Sequence, residues 1–126
     1  MDKETIFGQI VSKANNYMAV PDKSTGGRRV IVSESVRNYE REFRKQCRIY
    51  KNRGIDRPFN LHIDVWESSA RYDLDNALKT FLDCLQMVGA ITNDNLCIGI
   101  HAVKHIDPRN PRVTFGIEET EPRLAL

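Results

Sequence analysis

The chain has 126 residues and a formal net charge of +2. That length suits one domain over residues 1–126 and is too short for a doubly wound nucleotide enzyme or a barrel enzyme. Hydrophobic residues make up 40% of the chain and charged residues 29%, a balance typical of a folded domain that excludes a disordered or fibrous chain.

No pattern in the sequence predicts a membrane span or export. Charged residues break the apolar stretches every few positions, and the start, MDKETIFG, lacks the apolar core of a secretory signal. Cys47, Cys84 and Cys97 form no Cys-x-x-Cys pair, which excludes a zinc ribbon and a thioredoxin-like site. We therefore expect a cytoplasmic protein with reduced thiols, no membrane partner and no small-molecule cofactor.

Charge is distributed unevenly along the chain. Residues 21–57 carry eleven Lys or Arg against five Asp or Glu, whereas residues 58–126 carry six against ten. A basic region beside a carboxylate-rich one suits an enzyme that grips a polyanion and cuts it with a metal. A solvated helix of mixed charge is the ordinary alternative for the basic region.

The spacing of apolar residues predicts the order strand, helix, strand, helix, strand, strand. In chain order the predicted elements are a strand at 5–11, a loop at 12–29, a short strand at 30–32, a helix from Ser33 to about Asn52, a strand at 58–67, a helix from Asp73 or Leu74 to Val88, and strands at 96–105 and 112–119. The link at 107–111 is predicted to join the last two strands as a hairpin. The fold class is α+β, with a mixed β-sheet of about four strands packed against two main α-helices.

The segment Asp73-Leu74-Asp75 lies where the second helix is predicted to begin. Carboxylates interact favourably with the positive end of a helix, and one of them can cap it, so the pair alone is a weak indication of a site. Spacing by four, however, places Asp75, Lys79 and Asp83 on one polar stripe of that helix.

Two further carboxylates are candidates for the same region. Asp94 lies in a polar turn that leads directly into a strand, so it is predicted to fold back towards the helix start, and Asp64 points off the apolar face of the preceding strand. Clustered carboxylates repel one another unless a cation lies between them, and Mg²⁺ or Mn²⁺ prefers such hard oxygen ligands. With a lysine nearby to stabilise charge on a phosphate, the combination suits phosphodiester hydrolysis.

The sequence resembles the RusA family of Holliday junction resolvases over nearly its whole length. The resemblance rests on the run from Arg71 to Lys79 with Asp-Leu-Asp-Asn at its centre, then on Phe81-Leu82-Asp83, Asn93-Asp94, Pro111-Arg112-Val113, Asn15-Asn16-Tyr17, and Val32-Ser33 opening a helix with Tyr39. It implies a small homodimer, often encoded by a phage or prophage. Such an enzyme uses Mg²⁺ or Mn²⁺ to place paired nicks across a four-way DNA junction in recombination and repair.

Site residues follow from the resemblance by position. It implies that Asp73, Asp75 and Asp94 bind the metal and act in catalysis, that Lys79 is essential, that Asn76 supports the turn, and that Asp83 is a secondary acidic residue. The family's aspartate pair is Asn93-Asp94 here, and the first loop lacks the usual proline-rich start. These departures concern the DNA contacts more than the chemistry.

The candidate phosphate contacts are arginines of the basic region and of the motif: Arg28, Arg29, Arg37, Arg41, Arg44, Arg48 and Arg71. Tyr17 and Trp66 are candidates for stacking on a base, with packing as the ordinary alternative. No zinc site is expected at His101 and His105, because four positions along a strand separate them by about 13 Å.

Three other functions remain open on the sequence. The first is a structure-specific protein that binds branched DNA with weak or lost nuclease activity. The second is an RNA-binding module built on the basic helix, although an aromatic platform on a sheet is lacking. The third is a small phosphatase that uses the two aspartates as nucleophile and acid.

Overall fold

The computed structural model describes residues 1–12, 17–122 and 124–125. Its elements are β1 (Glu4–Phe7), β2 (Tyr17–Pro21), β3 (Arg28–Val32), α1 (Glu34–Gln46), β4 (Phe59–Glu67), α2 (Leu74–Met87), β5 (Cys97–Ile106) and β6 (Arg112–Glu119). Four strands form a mixed sheet in the order β1-β6-β4-β5, while β2 and β3 form a separate two-stranded sheet. The predicted α+β class, with two helices and a four-stranded mixed sheet, is confirmed. Within the described residues, no helix has both the length and the apolarity that a membrane span requires.

Strand β4 lies between β6 and β5 in the sheet, and its side chains alternate between two environments. Every second residue from Phe59 to Glu67 is buried, and the residues between them are half-buried. The buried side faces both helices, where Phe43 of α1 and Phe81 of α2 pack with ring centroids 5.6 Å apart, and Phe81 lies 4.8 Å from Phe115 of β6. The opposite face of the sheet is not covered by either helix.

The last two strands do not pair with each other, so the predicted hairpin is wrong. Strand β5 runs parallel to β4 after the crossover through α2, and β6 runs antiparallel to β4 on its other side. The 107–111 link passes over the end of β4, where the N–H of Asp107 donates to the carbonyl of Glu67 at 2.8 Å. Both later strands pair with the apolar central strand, a non-local preference that turn residues do not reveal.

Helix α1 ends at Gln46, six residues before the predicted end, because a carboxylate receives the amides that follow it. Glu4 of β1 is 7% exposed and accepts hydrogen bonds from the N–H groups of Arg48 (2.6 Å), Ile49 (3.0 Å) and Tyr50 (3.2 Å). In a continued helix these amides would bond to carbonyls four residues earlier. The buried carboxylate of Glu4 therefore terminates the helix. Glu4 reaches this position only in the folded chain.

The N-terminal region differs from the prediction at two places. Strand β1 ends at Phe7, before Gly8 with its φ of +116°, whereas the sequence predicted a strand to residue 11. The predicted loop at 12–29 contains strand β2, which pairs with β3 from Tyr17↔Val32 to Pro21↔Arg28. Arg28 and Arg29 therefore lie on a strand. The turn between the strands is closed by the Asp22 N–H, which donates to the Gly27 carbonyl at 2.8 Å.

Candidate active site

The Asp73-Leu74-Asp75 segment begins α2 as predicted. Asp73 occupies the N-cap position in an extended backbone conformation, yet its carboxylate makes no capping hydrogen bond. Asp75 lies in the first helical turn, and both side chains are exposed. Because the Asp73 side chain makes no capping hydrogen bond, its carboxylate is available to a ligand. Lys79, one turn beyond Asp75, is exposed as well.

Lys104 fixes the loop that precedes Asp73. It lies on β5 opposite Val65 of β4, and its Nζ donates to the carbonyls of Ala70 (2.8 Å) and Tyr72 (2.5 Å). The adjacent N–H of Ser68 donates to the Gln9 Oε1 at 2.7 Å. Two side chains distant in sequence therefore hold the link between β4 and α2, and with it the position of Asp73.

A buried carboxylate lies beside Asp73. Glu67, the last residue of β4, is 1% exposed, and its Oε2 has no hydrogen-bond partner among the described residues. Burial raises the pKa of Glu67; the positive charge of Lys104 opposes that rise, the negative charge of Asp73 adds to it, and the Gln9 side chain opposes it. A cavity of about 70 Å³ lies here, lined by Ile10, Ser12, Glu67, Arg71, Tyr72, Asp73, Asn76 and Ala77.

The donor set at this cavity fits a hard divalent cation. Asp73 supplies an uncapped carboxylate, and Glu67 supplies a buried oxygen with an unused lone pair. Among the described residues no three His, Cys, Asp or Glu side chains form a complete ligand cluster. Mg²⁺ tolerates such an open arrangement, because it keeps several waters and binds through one or two carboxylates plus substrate phosphates.

Asp94 lies at the other end of α2, so the prediction that it folds back to the helix start is wrong. Its N–H donates to the Gln86 Oε1 at 3.1 Å, and it begins a short 3₁₀ turn just before β5. Gln86 is thirteen residues beyond Asp73, a distance of about 20 Å along a helix. The crossover requires this placement: α2 starts at the end of β4 and must finish at the start of the parallel strand β5.

Two of the secondary candidates lie in different places. Asn76 lines the cavity together with Asp73. Asp83 lines a groove with Glu40 of α1, Gln86 and Met87, in the half of α2 that is distant from Asp73. The structure thus groups Asn76 with the start of α2 and separates Asp83 from it.

All seven candidate arginines are exposed. Arg28 and Arg29 lie on the hairpin strand β3, and Arg37, Arg41, Arg44 and Arg48 lie on or just after α1. Arg71 is next to the cavity and stacks over the Tyr72 ring, with its guanidinium carbon 5.1 Å from the ring centroid. Asn15, Asn16 and the side chain of Tyr17 lie outside the described residues.

The uncovered face of the sheet carries aromatic and charged side chains in contact with one another. Trp66 stacks on His105 with ring centroids 4.6 Å apart, and the Arg112 guanidinium lies 4.0 Å above the Trp66 ring. The His105 Nε2 and the Asp64 Oδ1 are 2.8 Å apart. Asp64 is therefore paired across this face, away from the cavity on the helix side.

Sequence reasoning missed Glu67, Gln9 and Lys104. Glu67 could have been predicted, because the alternation along β4 places it on the same side as Phe59 and Val65, where a carboxylate is unexpected. Gln9 and Lys104 gave no comparable signal, since their partners are backbone groups brought close only by the fold.

Carboxylates and a lysine at a helix start, beside exposed arginines, are typical of enzymes that cleave the backbone of nucleic acids. The family model described as Endodeoxyribonuclease RusA matches residues 8–118. The chain is also 32% identical over 112 residues to a protein of Aquifex aeolicus (strain VF5) named Crossover junction endodeoxyribonuclease RusA, covering 85% of this chain and 82% of that relative. The chain belongs to the RusA endodeoxyribonuclease family, which confirms the resemblance seen in the sequence and makes the protein a nuclease.

Proposed function

We propose that this protein is a divalent-cation-dependent endonuclease that resolves four-way DNA junctions by paired nicks. The observation that carries the proposal is the exposed, uncapped carboxylate of Asp73 at the start of α2, in a chain of the RusA family. The Aquifex aeolicus relative is named a crossover junction endodeoxyribonuclease, which supports branched DNA as the substrate.

Asp73 and Asp75 would hold Mg²⁺ or Mn²⁺ at the start of α2. When bound, the cation supplies an activated water and stabilises the leaving oxygen. Lys79, exposed one turn beyond Asp75, stabilises negative charge on the scissile phosphate. Asn76 lines the cavity from α2, and Lys104 keeps the preceding loop and Asp73 in register with the end of the sheet.

Asp94 reaches such a centre only from a second copy of the chain. Strand β5 is an edge of the sheet, and its apolar residues Ile98, Ile100, Val103 and Ile106 are between 38% and 48% exposed. A long apolar edge strand is a template for pairing with another chain. Antiparallel pairing of two β5 strands about a two-fold axis sets the start of one strand beside the end of the other.

That arrangement makes each centre a shared one. The end of β5 is the point where Lys104 holds the loop before Asp73, and the start of β5 follows Asp94. Asp94 of the partner subunit therefore approaches Asp73 and Asp75. A homodimer with two such centres suits a four-way junction, whose near two-fold symmetry requires two cuts.

The exposed arginines would contact the phosphates of the junction arms. Arg28 and Arg29 lie on the β2–β3 hairpin, which forms a sheet separate from the main one. Arg37, Arg41, Arg44 and Arg48 provide a second basic surface along α1. Contacts of this kind add affinity without sequence specificity and weaken steeply as salt rises.

Cleavage of a labelled synthetic four-way junction tests the proposal. In Mg²⁺ the wild type is expected to place paired nicks, and Asp73→Asn is expected to bind the junction without nicking it. Asp56→Asn, an exposed aspartate before β4, is the matched control and should cut like the wild type. Binding without nicks by every protein, in both Mg²⁺ and Mn²⁺, would instead identify a branch-binding protein without nuclease activity.

A further inference from the structure

Glu67 is a buried carboxylate whose desolvation is not offset by its packing. It is the fifth residue on the buried side of β4, after four apolar side chains, and it is 1% exposed. Its Oε2 makes no hydrogen bond within the described residues. Burying a charged carboxylate without a partner for each oxygen is unfavourable, so a purely structural role predicts an apolar side chain at this position.

Lys104, through its charge, and Gln9, through a side-chain hydrogen bond, oppose the rise in the pKa of Glu67, and both side chains also bind backbone groups. Lys104 is the nearest ammonium on the adjacent strand, and its Nζ donates to the carbonyls of Ala70 and Tyr72. The Gln9 Oε1 accepts from the N–H of Ser68, and its Nε2 donates to the carbonyl of Ile10 at 2.8 Å. The groups that surround Glu67 thus stabilise the loop and leave its Oε2 open.

Glu67 lines the small cavity at the start of α2 together with Asp73 and Asn76. The cavity volume of about 70 Å³ exceeds the roughly 10–15 Å³ that one water molecule needs by the same measure. It therefore has room for a small cation with one or two waters. Asp73 forms its exposed rim, so an ion can enter from solvent past that carboxylate.

We propose that Glu67 is a ligand of the divalent cation that Asp73 binds, so that one carboxylate from the end of β4 and one from the start of α2 hold the cation within one chain. This inference rests on the proposed function, because it concerns the same metal centre. It places the cation between the last residue of β4 and the first turn of α2. A cation there neutralises the buried charge of Glu67 and holds the strand and the helix at a fixed separation.

Binding of Mn²⁺ alone to the DNA-free protein tests this, by electron paramagnetic resonance of free Mn²⁺ and by calorimetry. Glu67→Gln keeps the size of the side chain and is expected to raise the Mn²⁺ dissociation constant at least tenfold, as Asp73→Asn should. Glu119→Gln, an exposed glutamate at the far end of the sheet, should bind Mn²⁺ like the wild type.

Thermal unfolding distinguishes a ligand from a structural residue. In EDTA, Glu67→Gln should unfold at the temperature of the wild type or above it, because an unpaired buried charge is removed. Added Mn²⁺ should raise the unfolding temperature of the wild type and of Glu119→Gln, and that of Glu67→Gln by less at the same Mn²⁺ concentration. If Glu67→Gln folds poorly, Glu67→Asp keeps the charge and withdraws the oxygens by one methylene, and it should bind Mn²⁺ more weakly.

The outcomes separate this inference from the function beneath it. Mn²⁺ binding by a folded Glu67 variant with wild-type affinity, while Asp73→Asn binds weakly, would overturn the role of Glu67 and leave the nuclease proposal intact. A wild type that neither binds Mn²⁺ nor cuts junctions would overturn both.

Discussion

The Oε1 of Gln86 accepts a hydrogen bond from the backbone N–H of Asp94 at 3.1 Å, and this contact holds Asp94 at the C-terminal end of α2. Asp73 lies at the opposite end of the same helix, about 20 Å away along its axis. One chain cannot bring the two carboxylates to one cation without breaking the crossover. The proposed metal centre therefore needs a second subunit to supply Asp94.

Mixing two inactive variants tests whether each centre is shared between subunits. Asp73→Asn and Asp94→Asn should each fail to nick a four-way junction. After the two are unfolded together and refolded, mixed dimers should carry one intact centre and regain nicking. About a quarter of all centres are restored, since half of randomly paired dimers are mixed and each has one good centre. Continued inactivity of the mixture, with mixed dimers verified by mass spectrometry, would place both aspartates in a centre within one chain.

The exposed edge of β5 should carry the dimer contact. Ile100 is 45% exposed on this edge, and Ile100→Lys would place two ammonium groups in the two-fold interface. Desolvating them costs on the order of 3 kcal/mol, so the dimer dissociation constant should rise about 100-fold. Sedimentation equilibrium measures the change. Val30→Lys is the control, because Val30 is 69% exposed and lies on β3, which belongs to the separate two-stranded sheet. Equal association by both variants would move the interface elsewhere.

Glu4 should contribute strongly to stability although it lies outside the candidate site. Glu4→Gln replaces one acceptor oxygen by an NH₂ group that faces the amides of Arg48, Ile49 and Tyr50. Leaving buried N–H groups unpaired is expected to lower the free energy of unfolding by about 2 kcal/mol. Urea denaturation measures it. Glu34→Gln, an exposed glutamate in the first turn of α1, should change that free energy by less than about 0.5 kcal/mol.

Cys47 should make the protein less stable in alkali. Burial, together with the nearby Glu4 carboxylate, raises the pKa of the Cys47 thiol to about 12. Above about pH 9 the unfolded chain loses this proton while the folded chain keeps it, so the free energy of unfolding should fall with rising pH. The slope from this thiol is at most about 1.4 kcal/mol per pH unit.

Denaturation at pH 8, 9, 10 and 11 measures that slope. Cys47→Ala removes the group, so its free energy of unfolding should depend less on pH over this range than that of the wild type. Identical slopes in the two proteins would show that Cys47 is not the titrating group. At pH 8, iodoacetamide should also modify Cys47 far more slowly in the native protein than in the denatured one.

Local sequence patterns predicted what depends on near neighbours. The alternation of residues 58–67 and the recurrence of apolar residues in α2 located β4 and the second helix almost to the residue, with Asp73 at the helix start. The Asp-Leu-Asp-Asn motif with Lys79 indicated the family, which the family model confirms. The motif is readable in the sequence because all of its residues lie within two turns of one helix.

Patterns were less informative where a pairing depended on distant residues. The end of α1 was placed six residues too late, because Glu4 accepts hydrogen bonds from the backbone N–H groups that follow the helix. Strand β2 was missed because its own residues show no strand pattern, and only its pairing with β3 makes it a strand. The hairpin between β5 and β6 was predicted from turn residues, yet both strands pair with β4.

The sequence by itself determined the fold class, the family and the start of α2 with its two aspartates, since each is written in residues close together along the chain. Only the tertiary structure decided that Asp94 lies at the far end of α2, that Lys104 holds the loop before Asp73, and that Glu67 is buried beside it. The physical reason is the crossover between parallel strands. The crossover separates Asp94 from Asp73 by the length of α2. It also brings together side chains from β4, β5 and α2 that are far apart in the sequence.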